Sequence, residues 1–240
     1  MRQMLTSLKN KYTREEDLFG REVILGWMEA RRQRGAKVLD VGCGSGTDLL
    51  SLRAVIPEAE LHGLDIMPMN IDLCRSKGIE TQLANLECDR IPHPDGFFDV
   101  VIANQVFEHL KNWVQALWQI ALKLKAGGTL VVGVPNLASF HNRVLLLMGS
   151  QPPCISTGGM HVRGFTVPGL RSVLEYKGVF QVEQVAGRPF YPFPKGPSDL
   201  LSGIFPAAAV CIFLLCRKTG DPASLMEIES FAKREEFQLN

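Results

Sequence analysis

Short β-branched runs alternate with helical stretches along most of this chain, and the alternation limits the possible folds more than any other feature. Strands that alternate with helices are typical of a parallel sheet built from right-handed crossovers. The last run is apolar throughout, as expected for a strand covered on both faces. The predicted strands are residues 37–41, 60–66, 79–85, 98–104, 129–135, 180–185 and 210–217.

These strands predict a single α/β domain over residues 1–218, with a seven-stranded, mostly parallel sheet flanked by helices. An amphipathic helix is expected before the first strand, over residues 14–34. Two long connections, 136–166 and 187–206, interrupt the alternation of strands and helices. Such connections in a small domain are typical of functional lids. A charged tail is predicted over 219–240. Further helices are expected at residues 47–55, 69–77, 113–124, 140–148 and 167–176.

Composition argues against several classes of partner. The 26 basic and 25 acidic residues nearly cancel, so we expect no nucleic-acid partner. Six cysteines without metal-ligand spacing predict neither a metal site nor disulfides, and together with an N-terminus that has no apolar signal they favour a cytoplasmic protein. The apolar stretch 200–216 is too short to span a membrane and contains a proline.

A glycine-rich turn follows the first predicted strand in KVLDVGCGSGT, residues 37–47. Gly42, Gly44 and Gly46 allow a sharp turn and a close approach of the backbone to a ligand, and the helix that follows offers free N–H groups. A dinucleotide fingerprint requires glycine at position 47, where this chain has threonine. Asp40, just before the turn, suits an ammonium group better than a pyrophosphate.

Asp65 ends the second predicted strand. At this distance from the glycine turn, an acidic side chain can accept hydrogen bonds from both ribose hydroxyls of an adenosine-containing ligand. The alternative is a helix cap, which requires the same residue type at the same place. Together with the glycine turn, Asp65 predicts a nucleoside site.

The motifs VLDVGCGSG, LHGLDI, ANLECDRIPHPDGFFDVVIANQVFEHL and LKAGGTLVVGVPN resemble those of the class I, Rossmann-like methyltransferases that use S-adenosylmethionine, in particular the small-molecule branch. The resemblance covers about residues 34–218. It implies a sheet whose last strand is antiparallel, with S-adenosylmethionine as cofactor and S-adenosylhomocysteine as product.

The resemblance also assigns residues to parts of the cofactor. Asn85 would contact the adenine through its side chain and Leu86 through its backbone N–H, while Ile66 would pack on the adenine face. Many family members carry aspartate where Asn85 stands, but the amide carbonyl can still accept from the adenine amino group. Asn104 and Gln105, after the fourth strand, would lie beneath the methionine part.

Two histidines are candidates for proton transfer to or from an acceptor. His161 lies just before a helix with Thr166 as its expected N-cap, in the insertion that follows the fifth strand, where open α/β sheets bind substrates. His109 follows the fourth strand, and a structural role at the turn is its alternative. A base matters when the acceptor is an aliphatic hydroxyl and matters little for a phenolate, an amine or a carbanion.

The leading hypothesis is an enzyme that methylates a small metabolite at oxygen, nitrogen or carbon. A catalytically silent S-adenosylmethionine-binding partner subunit stays open as an alternative, and Thr47 and Asp40 argue against a nicotinamide oxidoreductase. Apolar side chains in the second insertion, such as Phe190, Phe193 and Leu200, could form a lid for a lipid-like substrate and touch a membrane surface. The sequence does not indicate an oligomeric state.

Overall fold

Seven strands form one sheet in the computed structural model, which describes residues 20–31 and 33–228. The strand order is β3-β2-β1-β4-β5-β7-β6. Neighbours from β3 to β5 pair in parallel, whereas β7 runs antiparallel to both β5 and β6. The predicted fold class is therefore confirmed. The strands are β1 Lys37–Val41, β2 Glu60–Asp65, β3 Glu80–Leu83, β4 Phe98–Asn104, β5 Leu124–Pro135, β6 Phe180–Arg188 and β7 Cys211–Lys218.

Successive residues along the strands enter two different cores, because side chains alternate between the faces of a sheet. Leu39 and Val101 belong to one buried cluster, and Val38 and Val100 belong to the other. Apolar residues at consecutive positions are thus buried on both sides. The helices are α1 Arg21–Arg31, α2 Thr47–Leu52, α3 Pro68–Ser76, α4 Trp113–Lys123, α5 Phe140–Leu147, α6 Val167–Leu174 and α7 Lys195–Ile204.

Most boundaries differ from the predicted ones by a few residues. The predicted N-terminal helix is described over Arg21–Arg31, and its residues 14–19 and 32 lie outside the described residues. Strand β5 begins at Leu124 rather than at 129, because Leu124 pairs with Phe98 before the register shifts, and Gly127 adopts a φ of 74° in the shifted segment. The glycines therefore shape a bulge within the strand.

The second insertion contains a helix that the sequence did not predict. Strand β6 continues to Arg188, and α7 then occupies ten residues of the connection. Gly196, Pro197 and Gly203 suggest a loop by propensity. Pro197 is tolerated because it lies in the first turn, where backbone N–H groups have no intrahelical partner.

The predicted tail begins against the core rather than in solvent. Leu225 is fully buried in the same cluster as β4 and β5, while residues 229–240 lie outside the described residues. The limits of the domain stay a prediction. Within the described part of the chain, no helix is long and apolar enough to cross a membrane.

The Phe213 ring fills space that two glycines leave open. A Cβ atom on its cross-strand partner Gly133 would lie 2.9 Å from Phe213 Cδ1, and one on Gly20 would overlap the ring. We expect Phe213→Ala to lower the free energy of unfolding by about 3–5 kcal/mol, because it leaves a cavity in the middle of the sheet. Phe205, 56% exposed, is the matched control, and Phe205→Ala should cost less than about 0.5 kcal/mol. Urea unfolding measures both, and equal losses would contradict this account of the core.

Candidate active site

The glycine turn after β1 adopts the left-handed backbone that its sequence predicts. Gly42, Gly44 and Gly46 have φ angles of 74°, 51° and 75°. A Cβ atom at Gly42 would lie 2.6 Å from Val106 Cγ2, and one at Gly46 would lie 2.7 Å from Ile79 Cδ1. At Gly44 it would meet no atom of the described residues within 4 Å. Gly42 and Gly46 thus permit close packing, whereas the described residues leave the space beside Gly44 open.

Asp65 ties the glycine turn to the second strand. Its Oδ2 accepts from Gly44 N at 2.9 Å, and its Oδ1 accepts from Met67 N at 2.8 Å and from Asn70 Nδ2 at 3.0 Å. The carboxylate therefore holds the turn that precedes α3, but it is not the helix N-cap of the alternative interpretation, because Met67 occupies that position and makes no side-chain cap hydrogen bond. A carboxylate has about four acceptor sites, so Asp65 retains capacity for a further donor.

Three carboxyl groups lie close together at the end of β1. Burial raises the pKa of Asp40 well above its usual range, and the negative charges of Asp48 and Asp65 raise it further. Arg21 Nε forms an ion pair with Asp48 Oδ1 at 2.7 Å. A bound cation would stabilise the ionised form of Asp40.

The carboxyl end of β4 lies beside these three aspartates. Asn104 Nδ2 donates to Asp48 Oδ2 at 3.4 Å. Gln105 follows with a φ of 58°, which is uncommon for a residue other than glycine, and its backbone N–H donates to Gly133 O at 2.8 Å. Its buried Nε2 has no hydrogen-bond partner within the described residues. Asn104 thus contacts one of the three aspartates near the end of β1, as the predicted cofactor site requires.

The residues expected around an adenine ring flank the ends of β2 and β3. Ile66 and Met67 are 58% and 51% exposed, which leaves apolar surface available beside Asp65. Asn85 Oδ1 accepts from Glu87 N at 3.0 Å, so one lone pair of this carbonyl is used within the turn. Leu86 is buried. The adenine contacts of Ile66, Asn85 and Leu86 stay predictions.

The two candidate catalytic histidines contact each other. The rings of His109 and His161 meet edge to face, with centroids 4.7 Å apart. Glu108 joins them, since its Oε1 lies 4.0 Å from His109 Nε2. Burial lowers the pKa of His109, and His161 lowers it further, while burial raises the pKa of Glu108 to about 7. We call these three residues the Glu-His-His cluster.

Backbone hydrogen bonds hold the first insertion against the turn that carries Glu108 and His109. Val162 N donates to Glu108 O at 2.8 Å, and Leu137 N donates to Phe165 O at 2.8 Å. The Arg163 guanidinium donates to the backbone oxygens of Leu110 and Lys111. Residues 160–165 therefore lie along the turn that follows β4. Thr166 caps α6 as predicted, accepting from Gly169 N at 3.2 Å.

Sequence reasoning did not assign a role to Glu108. In this turn, the sequence predicts a catalytic role only for the neighbouring His109. The feature that could have indicated Glu108 is its position beside that histidine, just after a strand that ends at the predicted site. The 1% exposure of Glu108 could not be inferred from a chain position beside polar residues.

The helices of the two insertions bury polar residues and expose apolar ones. The buried residue of α5 is Asn142, and those of α7 are Ser198 and Ser202. Phe140 of the first insertion stacks on Phe190 of the second, with centroids 6.0 Å apart. The two insertions are thus in contact. The exposed apolar residues of α5, α7 and the positions beside these helices are Phe140, Val144, Leu146, Leu147, Met148, Phe193, Leu200, Ile204 and Phe205.

Comparison with known proteins agrees with the fold and the glycine turn. A family model described as a methyltransferase domain matches residues 16–177. The mitochondrial ubiquinone biosynthesis O-methyltransferase of Rattus norvegicus is 31% identical over 173 residues, which cover 66% of this chain and 48% of that protein. The demethylmenaquinone methyltransferase of Deinococcus radiodurans is 29% identical over 141 residues, covering 55% and 58%. The chain therefore spans about half the length of these relatives.

A solved structure shows the same fold at low identity. The 1,6-didemethyltoxoflavin-N1-methyltransferase of Burkholderia thailandensis, with bound S-adenosylhomocysteine, has a TM-score of 0.58 at 17% identity, covering 85% of this chain and 80% of that one. Fold and glycine turn together define a class I, Rossmann-like methyltransferase domain. The chain belongs to the methyltransferase domain family, which confirms the resemblance read from its motifs.

We expect Asp65→Ala to lower the free energy of unfolding by about 1–3 kcal/mol, because Gly44 N and Met67 N lose their acceptor. Asp65→Asn keeps one carbonyl oxygen for Met67 N and should cost less. Urea unfolding of both variants measures the contribution of these hydrogen bonds. Unchanged stability of Asp65→Ala would show that these two hydrogen bonds contribute nothing.

Proposed function

We propose that the chain transfers the methyl group of S-adenosylmethionine to a small-molecule acceptor. The observation that carries the proposal is the acidic, glycine-lined site after β1, in which Asp65 accepts from Gly44 N beside the buried Asp40. An acidic pocket suits a cofactor that carries an ammonium and a sulfonium, whereas a nicotinamide dinucleotide brings a pyrophosphate. Family membership supports the same cofactor.

Each part of the cofactor has a candidate partner. The ammonium would contact Asp40 directly or through water, and the homocysteine part would lie beside Gly42, Gly44 and the end of β4, where Asn104 and Gln105 stand. The remaining acceptor capacity of Asp65 suits the ribose hydroxyls. The exposed Ile66 side chain would cover one face of the adenine, whose edge would meet Asn85 and Leu86.

The acceptor would lie between this site and the first insertion. Methyl transfer from a sulfonium is an in-line displacement, so the protein contributes mainly by positioning the acceptor and excluding water. The Glu-His-His cluster follows β4 by a few residues, and its side chains are able to take a proton from a hydroxyl. We assign His161 and His109 to the acceptor side of the site.

The chemistry of the acceptor is suggested by the surface of the insertions. Exposed apolar side chains on α5 and α7 suit an acceptor with an apolar substituent, and they would also allow contact with a membrane surface. Two relatives are named for steps in the synthesis of ubiquinone and menaquinone. We infer a hydroxylated ring that carries an apolar chain, methylated in the cytoplasm.

A catalytically silent cofactor-binding subunit is the second candidate, because the cofactor site alone would serve both functions. The clustering of His109, His161 and Glu108 favours the enzyme, since a silent subunit has no need of ionisable groups there. Transfer of labelled methyl from S-adenosylmethionine to a panel of phenols and quinols distinguishes the two.

We expect S-adenosylhomocysteine to bind at micromolar levels with an affinity that increases with pH. Burial and two neighbouring carboxylates raise the pKa of Asp40, so at pH values below that pKa the ammonium must displace a proton, and affinity should rise there by up to about tenfold per pH unit. Asp40→Asn should bind about 10- to 100-fold more weakly and lose this pH dependence. Calorimetry at several pH values measures the affinity of the parent and of Asp40→Asn. Tight binding of NADH without binding of S-adenosylhomocysteine would refute the proposal.

His161→Ala should reduce kcat by about 10²-fold with a hydroxyl acceptor, the usual scale for a lost proton-transfer group. Affinity for S-adenosylhomocysteine should change by less than about 0.5 kcal/mol, because His161 belongs to the acceptor side. His141→Ala is the matched control in the same insertion, where the ring packs on Tyr191. Equal rates for the parent and His161→Ala would remove His161 from the reaction.

A further inference from the structure

His62 is a buried histidine in β2 whose two ring nitrogens lack a hydrogen-bond partner within the described residues. Its exposed fraction is 5%, and its ring packs edge to face on Phe97 and Phe98. The ring of His93 lies against it, with centroids 5.2 Å apart, and both of its nitrogens are also buried without a partner among the described residues. Leaving buried polar groups unpaired is costly, so two such rings in contact call for a ligand that both can bind.

Glu80 lies beside His62 on the neighbouring strand. The two residues are partners in the parallel pairing of β2 with β3, so their side chains point to the same face of the sheet. His62 Nδ1 lies 3.6 Å from Glu80 Oε1. One ligand atom from each of His62, Glu80 and His93 lies within 4.8 Å of the other two. The Glu80 side chain is 64% exposed, so the group is open to solvent on one side.

We propose that His62, Glu80 and His93 bind a divalent cation, which clamps the amino ends of β2 and β3 to the segment before β4. We call these three residues the β2–β3 cation site. Parallel strands begin at the edge of the sheet opposite to their carboxyl ends, so this site lies away from the glycine turn and is independent of the proposed function. The sequence predicts no metal site, because the three ligands stand on separate segments of the chain.

The donor set and its spacing fit Zn²⁺ and related ions. Two imidazoles and one carboxylate suit Zn²⁺, Co²⁺ or Ni²⁺ better than Ca²⁺ or Mg²⁺, which prefer oxygen ligands. In a tetrahedral site with bonds of about 2.1 Å, two ligand atoms lie about 3.4 Å apart. The 3.6 Å between His62 Nδ1 and Glu80 Oε1 is already close to that separation. Three protein ligands leave the fourth position for a water molecule.

Glu60 is placed to orient the His62 ring when Nδ1 binds the cation. Its Oε2 lies 3.9 Å from His62 Nε2, the other ring nitrogen. Histidines that bind metals commonly donate their second N–H to a carboxylate in this way. The Lys37 ammonium lies 3.3 Å from the same Glu60 oxygen, and its charge opposes that of a cation. The two carboxylates of Glu60 and Glu80 outweigh this single positive charge.

The loop that carries His93 is held in place by protein contacts alone. Gly96 N donates to Leu122 O at 2.9 Å, and Asp95 Oδ1 forms an ion pair with Lys123 Nζ at 2.7 Å. Both contacts fix the loop to α4. A proline stands on each side of His93 and restricts the backbone further. Binding would therefore order little additional chain, and the free energy of binding would stabilise the fold.

The experiment is a titration of chelator-treated protein with Co²⁺, followed by visible absorption, with Zn²⁺ in competition. At concentrations that saturate the site in the parent, Glu80→Gln and His93→Ala should each bind one Co²⁺ fewer per chain. Glu60→Gln should keep the ion and bind it about 10-fold more weakly, as expected for a residue that orients a ligand. His161→Ala, which removes a histidine from the Glu-His-His cluster, is the matched control and should bind as the parent does.

Thermal unfolding of the same proteins gives an independent measurement. Zn²⁺ at about 100 times its dissociation constant should raise the Tm of the parent by about 5–10 °C, because it binds the folded chain only. The shift should be absent in His93→Ala and in Glu80→Gln, whose substitution at an exposed side chain leaves the core intact. A parent that binds neither Co²⁺ nor Zn²⁺, or variants at Glu80 and His93 that bind as many ions as the parent, would overturn the site. An unchanged Tm of the parent would overturn the clamp.

Discussion

The parallel pairing of β1 with β4 is the constraint on which the site depends. From β1 the chain proceeds outward through β2 and β3, then returns to place β4 on the other side of β1. The connections after β1 and β4 therefore leave in opposite directions and open a crevice at the carboxyl ends of the strands, where ligands of such sheets bind. The glycine turn, Asp65 and Asn104 all lie at these ends. A different partner for β1 would separate them.

The site divides into two electrostatically different halves. Around the glycine turn, Asp40, Asp48 and Asp65 concentrate negative charge in a partly buried place, which favours a cationic ligand. Beyond β4, burial acts on Glu108 and His109 in opposite directions, raising the pKa of the acid and lowering that of the base. Both shifts favour the neutral forms of these side chains. The proposed cofactor half is formed at the sheet itself, whereas the proposed acceptor half requires the first insertion.

Features that depend on local sequence could be predicted, and features that depend on the path of a long connection could not. The strands were evident because each is a short apolar run, and the glycine turn with Asp65 was evident because both lie next to predicted strands. The convergence of Glu108, His109 and His161 depends on backbone bonds such as Val162 N to Glu108 O, which any side chain at position 162 permits. Helix α7 was missed because its glycines and proline disfavour a helix, while tertiary packing stabilises one.

We propose that one crevice holds the cofactor on the acidic side and the acceptor on the histidine side. A crystal structure of the protein with S-adenosylhomocysteine tests it most directly. We expect the ammonium beside Asp40, the ribose hydroxyls within hydrogen-bond distance of Asp65, and the sulfur facing the Glu-His-His cluster. A ligand seated elsewhere on the sheet, or one whose sulfur points away from that cluster, would contradict it.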